Sequence, residues 1–103
     1  MFTKQVGIDL GTSYVRVYVR GRGLVLNEPT VVAYSATDER VLAVGREARE
    51  MEERAPPRIV ISRPIRDGVI ADYGVTTALL RHVLQRAVGR SPFVRPTVMV
   101  SIP

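Results

Sequence analysis

The chain has 103 residues, of which 46% are hydrophobic and 24% charged, and its net charge is +5. That is enough for one small globular domain with a modest core, about 60–70% of the unfolded surface being removed from water at this size. No cysteine and a single histidine exclude disulfides, cysteine metal centres and histidine-based metal clusters or triads, and the lack of cysteine fits a reducing cytoplasm. The positive charge is scattered and nearly all arginine, with Lys4 the sole lysine, and four Tyr and two Phe make no stacking platform. No nucleic-acid partner is therefore expected, while weak attraction to anionic lipid stays open.

No apolar run approaches the ~18–20 residues needed to cross a bilayer. Met1-Phe2-Thr3-Lys4 leads directly into a strand rather than a signal peptide. Residues 5–10 read as that strand, and Gly11-Thr12-Ser13 turns it back. A glycine turn lets backbone N–H groups and a hydroxyl approach a phosphate. A neighbouring carboxylate, here Asp9, can hold Mg²⁺, usually through water. The plainer reading is a hairpin whose Asp9 and Thr12 satisfy their own turn. There is no G-x-x-x-x-G-K-[ST] loop and no G-x-G-x-x-G after the first strand, which disfavours Walker and dinucleotide folds.

Residues 14–20 alternate, with Val15, Val17 and Val19 on one face, and predict a half-exposed strand. Gly21-Arg22-Gly23 predicts a hairpin turn into Leu24-Val25-Leu26, and Asn27-Glu28-Pro29 a break. Strands are expected at 30–34 and 41–44, with a polar turn between. A charged helix over 46–54 gains i,i+4 support from Arg46/Glu50, Arg49/Glu53 and Glu50/Arg54, with Ala48 and Met51 inward. Its charges serve either a partner or, more plainly, a solvated face. Pro56-Pro57 stops it.

A strand follows over 59–62, then a loop over 64–68 and a short extended piece over 69–71. Val75, Leu79, Leu80, Val83, Leu84, Ala87 and Val88 recur at helical spacing and predict a helix over 75–88. Asp72 suits its N-terminus and Gly89 its C-terminal cap. His82 falls on the polar side and reads as a surface residue. The last strand, 97–102, is apolar with nothing after it to cover it, so the chain reads as the front of a larger domain.

The glycine turn resembles the first phosphate loop of the actin, sugar-kinase and Hsp70-type chaperone superfamily. Across nearly the whole chain the sequence resembles the MreB family of bacterial actin homologues. Matching runs are 7–12, 21–33 (GRGLVLNEPTVVA), 41–51 (VLAVGREAREM) and 63–73 (RPIRDGVIADY). Leu26-Asn27-Glu28-Pro29 and the last run separate MreB from the chaperones. The loop departs from the family's usual Ala-Asn-Thr at Ser13-Tyr14-Val15 and is closer there to the chaperones' Thr-Tyr.

The resemblance implies an α/β fold, the actin/Hsp70-like (ribonuclease H-like) nucleotide-binding fold, of which this is the N-terminal part, a mixed sheet plus helices. Residues 1–31 and 63–103 would belong to subdomain IA and 32–62 to the small subdomain IB. It implies ATP and Mg²⁺, with Gly11, Thr12, Ser13 and Tyr14 along the phosphates and Asp9 facing the metal through water. Arg66 and Asp67 would be either a cleft sensor or a turn salt bridge. The parent protein would be a slow ATPase forming protofilaments at the inner membrane surface, in the cytoplasm, that direct cell shape and cell-wall synthesis. Phe2 would either touch the membrane or pack on the first strand. The catalytic carboxylate, second phosphate loop and adenosine pocket lie later in the family's sequence, so this chain alone is not expected to hydrolyse ATP. The alternative is a short non-catalytic actin-like module that caps or regulates filaments.

Overall fold

Alternation and glycine turns build the first sheet. A computed structural model of the chain describes residues 2–54, 56–89 and 94–102. Strand β1 (Phe2–Leu10) pairs antiparallel with β2 (Tyr14–Val19), which pairs antiparallel with β3 (Gly23–Pro29). Period-two alternation in β2 buries Val15, Val17 and Val19 and leaves Tyr14, Arg16 and Tyr18 on the other face. In β1 the buried residues are Val6, Ile8 and Leu10. The β2–β3 turn uses Gly21 at φ 85° and Gly23 at φ 74°, a left-handed region that glycine enters without steric cost. The expected break at Asn27-Glu28-Pro29 does not occur. Register continues from Arg16/Asn27 through Val15/Glu28 to Tyr14/Pro29, and proline is tolerated because it ends an edge strand.

Beyond β3 the chain crosses to a second sheet. Strands β4 (Val32–Ser35), β5 (Val41–Val44) and β6 (Ile59–Ser62) are antiparallel in the order β5-β4-β6. The first of these starts two residues later than expected, because Thr30 and Val31 form the crossing. Helix α1 (Arg46–Arg54) matches its expected bounds and buries Ala48 in a small cluster with Val31, Ala33 and Ala43. The expected i,i+4 ion pairs do not close among the described residues. Instead Arg46 meets Glu28 of β3, a partner fixed by the sheet, and Glu52, outside those pairs, meets Arg63.

The expected loop over 64–68 is a miniature hairpin of β7 (Ile65–Arg66) and β8 (Val69–Ile70). Asp67 at φ 52° and Gly68 at φ 74° form its two-residue turn, the left-handed pair that a tight hairpin favours. Helix α2 (Tyr73–Val88) starts two residues early. Asp72 caps it by accepting the Val75 N–H at 3.0 Å, and Gly89 ends it at φ 75°. Its buried face is Thr76, Leu79, Val83 and Ala87, while Leu80, Leu84 and Val88 are only partly covered. The buried Thr76 is tolerated because its hydroxyl donates to the Asp72 carbonyl at 2.6 Å. Strand β9 (Val94–Ser101) joins parallel to β1 and completes the order β3-β2-β1-β9.

One core links these parts. Val6, Ile8, Leu10, Val15 and Val17 pack under Leu79 and Val83 of α2, and Val32, Val44 and Ile65 extend the cluster to the second sheet and the small hairpin. The opposite face of the four-stranded sheet is open: Tyr18 is 42% and Met99 78% exposed. As expected, the last strand is uncovered, with Val98, Val100 and Ile102 exposed.

Candidate functional site

Gly11-Thr12-Ser13 connects β1 to β2 and is tied down from three sides. The Gly11 N–H donates to the Tyr14 carbonyl at 3.0 Å. A Cβ at Gly11 would sit 2.9 Å from that oxygen, so the turn closes only around glycine. Thr30, at the sheet crossing, donates its hydroxyl to the Gly11 carbonyl and its N–H to the Ser13 carbonyl, both at 2.9 Å. The Thr12 hydroxyl accepts the Gly68 N–H at 3.0 Å. The Gly11 and Ser13 carbonyls are thus occupied, while no protein carbonyl among the described residues accepts from the Thr12 or Ser13 N–H. Adjacent unpaired N–H groups in a rigid turn are an anion-binding arrangement.

The loop borders a cleft of about 620 Å³. Thr12, Ser13 and Tyr14 line it together with Arg49, Arg63 and Arg66. Arg63 is committed to Glu52 through two bonds of 2.7 and 2.8 Å. That fork of hydrogen bonds holds the Glu52 carboxyl below its ordinary range and raises Arg63 further. Arg66 donates Nε to the Arg63 carbonyl at 3.4 Å and also lines the cleft. Arginine clusters facing free N–H groups attract phosphate or carboxylate.

The residues singled out in the sequence do not all meet. Thr12, Ser13, Tyr14, Arg66 and Asp67 line one cleft. Gly11 shapes the loop from behind. Asp9 is exposed at the end of β1, across from Arg16 and Ser101, and does not line that cleft. Arg66 and Asp67 form no ion pair with each other among the described residues. Phe2 opens β1, opposite Val94, at the far end from Asp9, and its side chain lies outside the described residues. His82 is half-buried beside Glu28, Glu47 and Arg86 rather than fully on the surface.

Sequence reading missed Thr30, Arg49 and Glu28. Thr30 was hidden inside an expected strand, and Arg49 inside a charged helix face. Glu28 carried a legible signal, an acid amid the apolar run from Leu24 to Val32, but was taken as part of a break.

A model of the MreB/Mbl protein family matches residues 3–103. The chain belongs to the MreB/Mbl family. It is 48% identical over its full length to the cell shape-determining protein Mbl of Bacillus subtilis. The chain spans 31% of that relative's length. MreB 5 of Spiroplasma citri, solved bound to AMPPNP, superposes with a TM-score of 0.79 at 32% identity, over 97% of this chain and 30% of that one. A MamK double helical filament superposes with a TM-score of 0.79 at 27% identity, over 98% of this chain and 33% of that one. The mixed sheet with two helices is the N-terminal part of the actin-like fold, as the resemblance implied. Among the described residues of this MreB/Mbl chain, no helix is long and apolar enough to cross a membrane.

Proposed function

We propose that this chain supplies the first phosphate wall of an ATP-binding, filament-forming protein of MreB type. The observation that carries the reading is that Thr12 and Ser13, whose N–H groups meet no protein carbonyl among the described residues, line one cleft with Arg49, Arg63 and Arg66. Gly11, Thr12, Ser13 and Tyr14 would contact the phosphates. Asp9 fits a Mg²⁺ that keeps most of its waters. It is an exposed oxygen donor just before the loop and outside the cleft lining, so its contact with the ion would run through water. Bound Mg²⁺ would offset the phosphate charge.

Residues 1–31 and 63–103 are assigned to subdomain IA and residues 32–62 to subdomain IB. The second sheet, built wholly from residues 32–62, supports that division, although Val32 and Val44 pack into the larger core. Arg66 and Asp67, on the hairpin tied to Thr12, are assigned as the cleft sensor. Filament formation, contact with the inner membrane face through Phe2, a cytoplasmic position and direction of cell-wall synthesis follow from the family and are proposed for the complete protein. ATP hydrolysis is assigned to the complete protein as well.

Sedimentation of the complete protein with Mg²⁺ and ATP, ADP or no nucleotide tests this function. Nucleotide-dependent pelleting of filaments is expected. A protein that stays in the supernatant in every nucleotide state, or pellets equally in all, overturns it.

A further inference from the structure

Among the described residues, Glu28 is the one buried ionisable side chain, at 5% exposure near the end of β3. A buried carboxylate persists only when its charge is paired and hydrogen-bonded. Its Oε2 accepts the backbone N–H of Arg46, the first residue of α1, at 3.0 Å. Its Oε1 accepts from Arg86 Nη1, in the last turn of α2, at 3.1 Å, and stands 3.8 Å from Arg46 Nη1. One carboxylate therefore joins β3, α1 and α2.

Local sequence explains why the cap comes from so far away. Gly45 directly precedes α1 and has no side chain to accept an orphan helix N–H. It adopts φ 73°, and a Cβ there would lie 2.6 Å from Glu28 Oε2. Glycine at 45 both makes the turn and leaves room for the carboxylate, whose charge suits the helix N-terminus.

The consequence reaches the cleft. Helix α1 carries Arg49, which lines it, and Glu52, which holds Arg63 in its wall. Two residues past Glu28, Thr30 ties the phosphate loop through Gly11 and Ser13. We infer that Glu28 is a positioning residue: by capping α1 from β3 and anchoring on Arg86, it sets Arg49 and the Glu52–Arg63 pair against the phosphate loop. Its effect on ligand binding rests on the phosphate reading above; its effect on the placement of α1 does not.

Two readouts on the complete protein separate these. Spin labels at positions 50 of α1 and 81 of α2 report the spacing of the helices without nucleotide. Calorimetry reports Mg²⁺–ATP affinity. Glu28→Gln keeps an acceptor for the Arg46 N–H but loses the charge that holds the arginines. It is expected to broaden or lengthen the label distance and to weaken Mg²⁺–ATP about tenfold, the scale of one charge-assisted hydrogen bond. Gly45→Ala, which keeps the charge but crowds the carboxylate, is expected to move the same distance, and adding Glu28→Ala to it is expected to move it little further. An unchanged distance in both folded single variants overturns the proposal. A changed distance with unchanged affinity overturns the positioning role at the cleft. If the unsubstituted protein binds no Mg²⁺–ATP, the phosphate reading fails and the distances alone decide whether Glu28 places α1.

Discussion

The Gly68 backbone N–H donates to the Thr12 hydroxyl at 3.0 Å, joining residues 56 positions apart. That bond fastens the turn of the β7–β8 hairpin to the Gly11-Thr12-Ser13 loop. Tight turns shape both ends: Asp67 at φ 52° and Gly68 at φ 74° on one side, and the Gly11 turn that leaves no room for a Cβ on the other. A change in the Thr12 side chain is thereby felt in the segment that carries Arg66.

Thr12→Val removes the acceptor and keeps the shape. The bond is exposed and water can take over the Gly68 N–H, so the expected loss is small, about 0.5 kcal/mol of unfolding free energy in urea denaturation. Thr12→Ser, which keeps the oxygen, is expected to lose less than half of that. Equal losses in the two variants would show that the hydroxyl bond contributes nothing.

Asp72 gives α2 its start, accepting the Val75 N–H while its carbonyl takes the Thr76 hydroxyl. Asp72→Ala is expected to destabilise the chain by about 1 kcal/mol, and Asp72→Ser by only a few tenths. Thermal unfolding followed by circular dichroism checks the order; an alanine variant as stable as the serine one contradicts the cap.

His82 sets a pH dependence. Burial first, and then the neighbouring Arg86, hold its imidazole below the ordinary value of 6.5, against smaller opposing pulls from Glu47 and Glu28. The unfolded chain therefore takes up a proton more readily than the folded one, and stability falls as pH drops from 6.5 toward the lower folded value, then levels off. Because the ring is only half-buried, the effect is modest. Melting temperature is expected to fall between about pH 7.5 and about pH 5.5, and to fall less in His82→Gln. Identical pH profiles for the two proteins exclude this histidine as the source.

The outer edge of β9 is a row of unpaired backbone groups flanked by exposed Val98, Met99 and Val100. Such an edge templates pairing with another chain. This chain on its own is expected to self-associate at micromolar concentration, and Val100→Lys to shift it toward monomer in sedimentation velocity. A monodisperse monomer before substitution contradicts that.

Much of the architecture was legible because it rests on period and punctuation. The Val15-Val17-Val19 alternation, the Gly21 and Gly23 turn, and Asp72 and Gly89 around α2 are local signals, and each lies where it was expected. What escaped the sequence depends on contacts distant along the chain. Glu28 and Pro29 look like a break until Arg46, Gly45 and Arg86 surround the carboxylate. Asp67-Gly68 was a hairpin signal passed over because its strands are only two residues each. Of the residues expected in i,i+4 pairs of α1, Arg46 instead meets Glu28, whose place is fixed by β3 and which therefore costs less side-chain entropy to meet. At the site, the loop was readable from Gly11 and Thr12, but the arginines across the cleft were not, because Arg49 and Arg63 approach it from separate elements.

The central claim is that the Asp9–Tyr14 turn holds Mg²⁺ and the phosphates of a nucleotide, and calorimetric titration of the complete protein with ATP tests it most directly. With Mg²⁺ present, Asp9→Ala is expected to lose tenfold or more in affinity, about 1.4 kcal/mol. Without Mg²⁺, the variant and the unsubstituted protein are expected to bind ATP nearly alike. Equal affinity of the two proteins with Mg²⁺ present would contradict the assignment.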